Sequence, residues 1–138
     1  DLYKAFGDEK DALVRRIAIE TLRHWIGRKT GQDDALARFL VREQKYTPDH
    51  AAAVLHLLHS YGKKDIEDPL TYEVLIAYLQ HDKLPVRELA AFQLYRLAPA
   101  GGDIRYDPTA PKEKREEAVK QWKKLIPSGE LPPAPKQK

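Results

Sequence analysis

Two residue types return at nearly fixed distances along this chain, and that recurrence limits its folds more than any other feature. Ala18, Ala53 and Ala90 are separated by 35 and 37 residues, and Leu22, Leu57 and Leu94 keep the same two spacings. An alanine followed four residues later by leucine occupies one helix face, where a neighbouring helix can approach closely at Ala and lock at Leu. A second echo runs through the intervening segments: Leu36, Phe39 and Leu40 match Leu75, Tyr78 and Leu79 at a spacing of 39. Helix pairs with a period of about 35 to 40 residues cannot bury their faces alone and must stack on their neighbours.

Apolar residues recur at three- and four-residue spacings from about Lys10 to Ala98, and no long period-two stretch competes, so the class is all-α. The expected helices span roughly 9–26, 33–44, 48–61, 70–81, 83–97 and 111–126. Leu13, Ile17 and Leu22 are assigned to the apolar face of the first, and Gly27 and Gly31 to the left-handed positions beyond its end. Thr47-Pro48 and Asp68-Pro69 each place a capping oxygen before a proline in the first turn, where a missing N–H costs nothing. Asp82 is assigned the same capping role ahead of Pro85. With 138 residues the chain is read as one domain over 1–126, with a core large enough to stand without disulfides or metal.

The stretch DKLPVRELAAFQLYRL, residues 82–97, resembles the second helix of a HEAT repeat, and DALVRRIAIETL, residues 11–22, echoes it. The resemblance implies antiparallel helix pairs stacked into a right-handed α-solenoid, with second helices lining the concave side. It implies that Val14, Ala18 and Leu22, like Val86, Ala90 and Leu94, are core positions, and that Arg15 and Arg87 take the structural arginine position. The middle unit departs from it, with Asp49-His50 in place of Val-Arg. The likeness covers about residues 10–98 and names an architecture, not an activity.

Beyond Ala98 the composition changes. Pro99, Gly101, Gly102, Pro108 and Pro111 break the helical run, so 99–110 is expected to be a loop. Ala118, Val119, Trp122, Leu125 and Ile126 share one face of the next helix, with Glu116 four residues before Lys120 on the charged side. That helix, 111–126, is read as the cap of the stack, and the Pro-rich segment 127–138 as a disordered tail. Its sequence from YDPTAP through AVKQWKKLIP also resembles the C-terminal ends of bacterial proteins with HEAT-like helices, and nothing functional follows from that.

The chemistry-bearing residues are sparse. With no cysteine, the chain offers no thiol nucleophile, Cys-ligated zinc or iron–sulfur cluster. His56 and His59 stand one turn apart but lack a third ligand, since His50 falls off their face. Asp33-Asp34, Asp65 with Glu67 and Asp68, and Glu116-Glu117 lie at helix starts or on solvated faces, where capping and the helix dipole account for them. No Gly-rich phosphate loop is present, and neither Ser60 nor Ser128 sits in a nucleophile elbow. The chain is therefore read as non-catalytic, with no catalytic, cofactor-binding or metal-binding residue assigned.

No apolar run approaches the 18 to 20 residues that span a bilayer. The opening DLYKAFGDEKDAL has neither an apolar core nor an initiating Met, so it is not read as a signal peptide, and the chain is expected to be a piece of a longer or processed one. These observations suggest a protein-interaction or scaffolding module, acting as a monomer on a protein partner. The alternative is a nucleic-acid-binding solenoid, a role the HEAT resemblance allows: the excess of positive charge lies in residues 1–30 and 99–138, where Arg15, Arg16 and Arg23, and Lys120, Lys123 and Lys124, could meet phosphates. Interspersed acids and a net charge of +3 argue against it. The candidate binding residues are Arg16 and Arg23 by charge, and Tyr61 and Tyr95 as aromatic anchors.

Overall fold

The computed structural model describes residues 12–26, 31–59, 61–127, 129 and 131–133. Seven α-helices account for most of them, and no strand occurs among the described residues. We number them α1 (Ala12–Ile26), α2 (Gln32–Arg42), α3 (Pro48–Leu58), α4 (Lys63–Glu67), α5 (Pro69–Tyr78), α6 (Leu84–Leu97) and α7 (Lys112–Lys124), with a 3-10 turn at Pro99–Gly101. The chain divides into two compact units, Asp1–Ser60 and Tyr61–Lys138. Helix pairs of this period make contacts that are mostly local, and local contacts separate readily into such units.

In the first unit α2 and α3 pack on each other and α1 packs against both. The repeat positions do what their spacing requires: Ala18, Ala53, Leu22 and Leu57 are buried, as are Leu36 and Leu40. The expected face of α1 is corrected. Leu13 and Ile17 are 65% and 54% exposed, whereas Arg15, Ala18, Ile19 and Leu22 are buried, so the inward face is turned toward Arg15. Val14 is half-buried. Thr47 caps α3 as expected, its side chain accepting from the His50 N–H at 3.1 Å. Gly31 has a left-handed φ of 92° at the start of α2, while Gly27 lies outside the described residues.

In the second unit α5 packs on α6, α7 packs on α5, and the short α4 lies against α5. Helix α4 falls between the expected helices 48–61 and 70–81, where none was assigned. Asp68 ends it and also caps α5, accepting from the Leu70 N–H at 2.9 Å. Ala90, Leu94, Leu75 and Leu79 are buried, while Phe39 and Tyr78 are half-buried. Asp82 does not cap α6. The His81 ring accepts from the Lys83 N–H at 3.0 Å, and Arg87 donates to the carbonyls of His81 at 2.8 Å and Asp82 at 3.2 Å.

The segment expected to be a loop is tied to the core at several points. Arg87 Nε donates to the Pro108 carbonyl at 2.9 Å, the Tyr95 hydroxyl to the Ile104 carbonyl, and the Tyr106 hydroxyl to the Leu79 carbonyl. Trp122 of α7 is buried, edge-on to Tyr95 with ring centroids 5.5 Å apart. Its indole lies against Gly101, where an added Cβ would fall 2.1 Å from the ring. Glycine is required there by space. Helix α7 ends at Lys124, so Leu125 and Ile126 occupy the turn after it, and Glu116 and Lys120 stay exposed. The tail is corrected in part: Leu131 is buried and its N–H donates to the Leu125 carbonyl at 2.9 Å. Residues 134–138 lie outside the described residues.

Candidate docking groove

A hairpin of two helices seals its outer surface only where its side chains are long enough to meet. Along the outside of the α2–α3 pair they are short. Ala37, Ala51 and Ala52, with Val41, Pro48 and Leu55, line an open, apolar groove of about 320 Å³ whose remaining lining residues are Arg38 and Arg42. The spacing builds it: Ala37 and Val41 are four apart on α2, and Pro48, Ala51, Ala52 and Leu55 follow the three- and four-residue rhythm of one α3 face. Leu36, Leu40, Val54 and Leu57 on the other faces fill the core, so the helices are held while the groove stays open. Between them Lys45 turns the chain with a left-handed φ of 60°, and the next N–H, of Tyr46, donates to the Leu40 carbonyl at 2.9 Å.

The groove can hold one or two apolar side chains; its size is at the low end of what small-molecule sites need. Arg38 and Arg42, one turn apart on α2, are exposed, and no carboxylate is among the groove's described lining residues. Sequence reasoning missed this site because alanines in a helix pair read as close-contact positions. Its signal was the pairing of small residues on one face of each helix with two cations four residues apart.

The four candidate residues are not brought together there. Arg16 is exposed on α1 and faces Glu20 at 4.0 Å across one turn. Arg23 is partly buried, and its Nε donates to the Leu58 carbonyl at 3.0 Å, which ties α1 to the end of α3. Tyr95 is half-buried, its ring against Trp122 and its hydroxyl on Ile104. Tyr61 is half-buried at the start of the second unit, where burial first, then Tyr78 and Asp65, push its phenol up to about 12. Lys120 and Lys123 are exposed on α7, in the other unit from Arg16 and Arg23.

His56 lies in the last turn of α3 and His59 follows it with extended backbone, so the two do not share a helix face. Among the described residues no group of three His, Cys, Asp or Glu side chains could hold a metal ion. No helix among them is long and apolar enough to cross a membrane.

The fold thus defines an all-α chain of two helical units, one of which carries an apolar groove edged by arginines. Comparison with protein-family models, curated proteins and solved structures finds no match.

Proposed function

We propose that this chain is a protein-interaction module of HEAT-like helix pairs, stacked as a right-handed solenoid closed by α7, and that it docks partners without catalysis. The observation that carries the reading is the α2–α3 groove, an open apolar surface beside the buried Leu36, Leu40, Val54 and Leu57. A preformed groove between packed helices loses little entropy when a partner docks. The stacked-repeat part of the reading is supported by burial of Ala18, Ala53 and Ala90 with Leu22, Leu57 and Leu94. It is supported too by Arg87, which holds three backbone carbonyls, as a structural arginine should.

The test is retention from native lysate on the immobilised chain, with and without nuclease, compared with the Ala52→Gln variant. Ala52 is exposed, so the longer side chain obstructs the groove without entering the core. The reading expects a protein that survives nuclease and moderate salt and is lost with Ala52→Gln. Retention that disappears with nuclease, or that Ala52→Gln leaves unchanged, contradicts it.

A further inference from the structure

We infer that the α2–α3 groove takes an amphipathic helix of a protein partner whose polar flank is acidic; the inference rests on the interaction reading above and names its partner's chemistry. The second unit supplies the precedent. At the spacings that relate the two hairpins, Ala37 and Val41 correspond to Ile76 and Gln80, and Ala52 and Leu55 to Leu89 and Phe92. Two residues of that second set, Ile76 and Gln80, border a helix of this same chain. Gln80 Nε2 donates to the Lys112 carbonyl at the start of α7, at 3.3 Å, and Ile76 lines one cavity with Lys123 and Ile126 at its far end. Helix α7 is amphipathic, burying Ala118, Val119 and Trp122 and exposing charge on its other side.

In the first unit the corresponding edge carries alanine and valine instead and is open among the described residues, with Ala52 exposed and Val41 37% exposed. A helix seated on it would place its apolar residues against Ala37, Val41, Ala52 and Leu55. Its flank would then run beside Arg38 and Arg42, which are four residues apart, the same rise that separates two carboxylates on consecutive turns of a helix. Charge complementarity of this kind sets which partner is accepted more than how tightly an apolar face binds. A lysine-flanked helix would meet two like charges with no carboxylate among the lining residues to offset them.

The experiment uses two labelled synthetic helices that repeat the Ala118, Val119, Trp122 spacing on one face, one with glutamates and one with lysines on the other. Binding to the full chain is read by fluorescence anisotropy at low and high salt. The glutamate peptide is expected to bind roughly tenfold more tightly than the lysine peptide, with a preference that shrinks as salt screens it. Exchanging Arg38→Glu and Arg42→Glu together should reverse the preference, and Ala52→Gln should weaken both peptides while circular dichroism stays unchanged. Equal binding of the two peptides overturns the inference, as does glutamate-peptide binding that Ala52→Gln does not affect. A lysine preference that Ala52→Gln abolishes overturns the acidic partner while leaving the interaction reading standing. Self-association of the chain that Ala52→Gln abolishes shows a second copy as the occupant and likewise overturns it.

Discussion

In the unit beginning at Tyr61, the side chains of Tyr72, Arg87, Tyr95 and Tyr106 reach backbone carbonyls, and Trp122 closes the surface over Gly101. In the unit ending at Ser60, the hairpin is held by aliphatic contacts among Leu36, Leu40, Val54 and Leu57, with Arg23 tying α1 to Leu58, and the surface over Ala37 and Ala52 is left open. The two hairpins differ in how they are finished. In the second, α7 borders Ile76 and Gln80 and polar side chains reach backbone carbonyls; in the first, among the described residues, the edge at Ala37, Val41 and Ala52 is left open and two arginines border it. The difference separates a unit closed by side-chain bonds to backbone from one that carries an open apolar groove.

The most damaging way to break the contrast is to empty the second unit. Trp122→Ala removes a buried indole and should cost about 3–5 kcal/mol, measured by urea unfolding. Gly101→Ala attacks the same contact from the other side: the new methyl must displace the ring, for a loss of about 1–3 kcal/mol. If either variant unfolds with an unchanged midpoint, Trp122 is not the keystone of that unit.

Arg87→Ala should follow at about 2 kcal/mol, because it strips charged donors from the carbonyls of His81, Asp82 and Pro108. Arg87→Lys should recover little, since a single ammonium cannot reproduce the guanidinium fork. Full recovery by lysine would show that charge alone matters at this position.

Alkaline pH probes the same unit through its phenols. Burial raises Tyr72, Tyr95 and Tyr106, as it raises Tyr61, so the folded state keeps protons that an unfolded chain releases near pH 10. The sign follows: below about pH 10 these groups leave stability constant, and above it stability falls as the unfolded chain ionises first. Helix content should therefore drop together with the rise in phenolate absorbance, and Tyr106→Phe should move the onset upward. Phenolate forming with an ordinary midpoint while the helices stay intact would contradict the burial of these side chains.

The smallest effects belong to the first unit and sharpen the contrast by their smallness. Val41→Ser, on the groove edge, should change stability by no more than about 0.5 kcal/mol while weakening any groove-dependent binding. A large destabilisation would mean that the groove edge belongs to the core.

How far the fold could be read in advance depended on whether a feature lay in periodicity or in long-range packing. Ala and Leu at three repeated positions, and the caps at Thr47 and Asp68, are local statements, and the structure bears them out. Helix α4 carried no signal because five residues with none buried show no apolar rhythm. On α1 two faces competed, and apolar spacing favoured Leu13 and Ile17 because it cannot see that an arginine is the inward residue. Leu131 was hidden in a Pro-rich, polar segment, yet one leucine with a backbone hydrogen bond is enough to seat it. The groove was invisible for a related reason: only the three-dimensional pairing of α2 with α3 reveals that Ala37 and Ala52 border an open surface beside the buried Ala51.

Amide hydrogen exchange on the full chain, with and without the glutamate-flanked helical peptide, tests the division between a closed unit and a docking unit most directly. The account predicts that the peptide slows exchange in α2 and α3 and leaves α5, α6 and α7 unchanged. Slowing confined to α5–α7, or no slowing in α2 and α3 at saturating peptide, would contradict it.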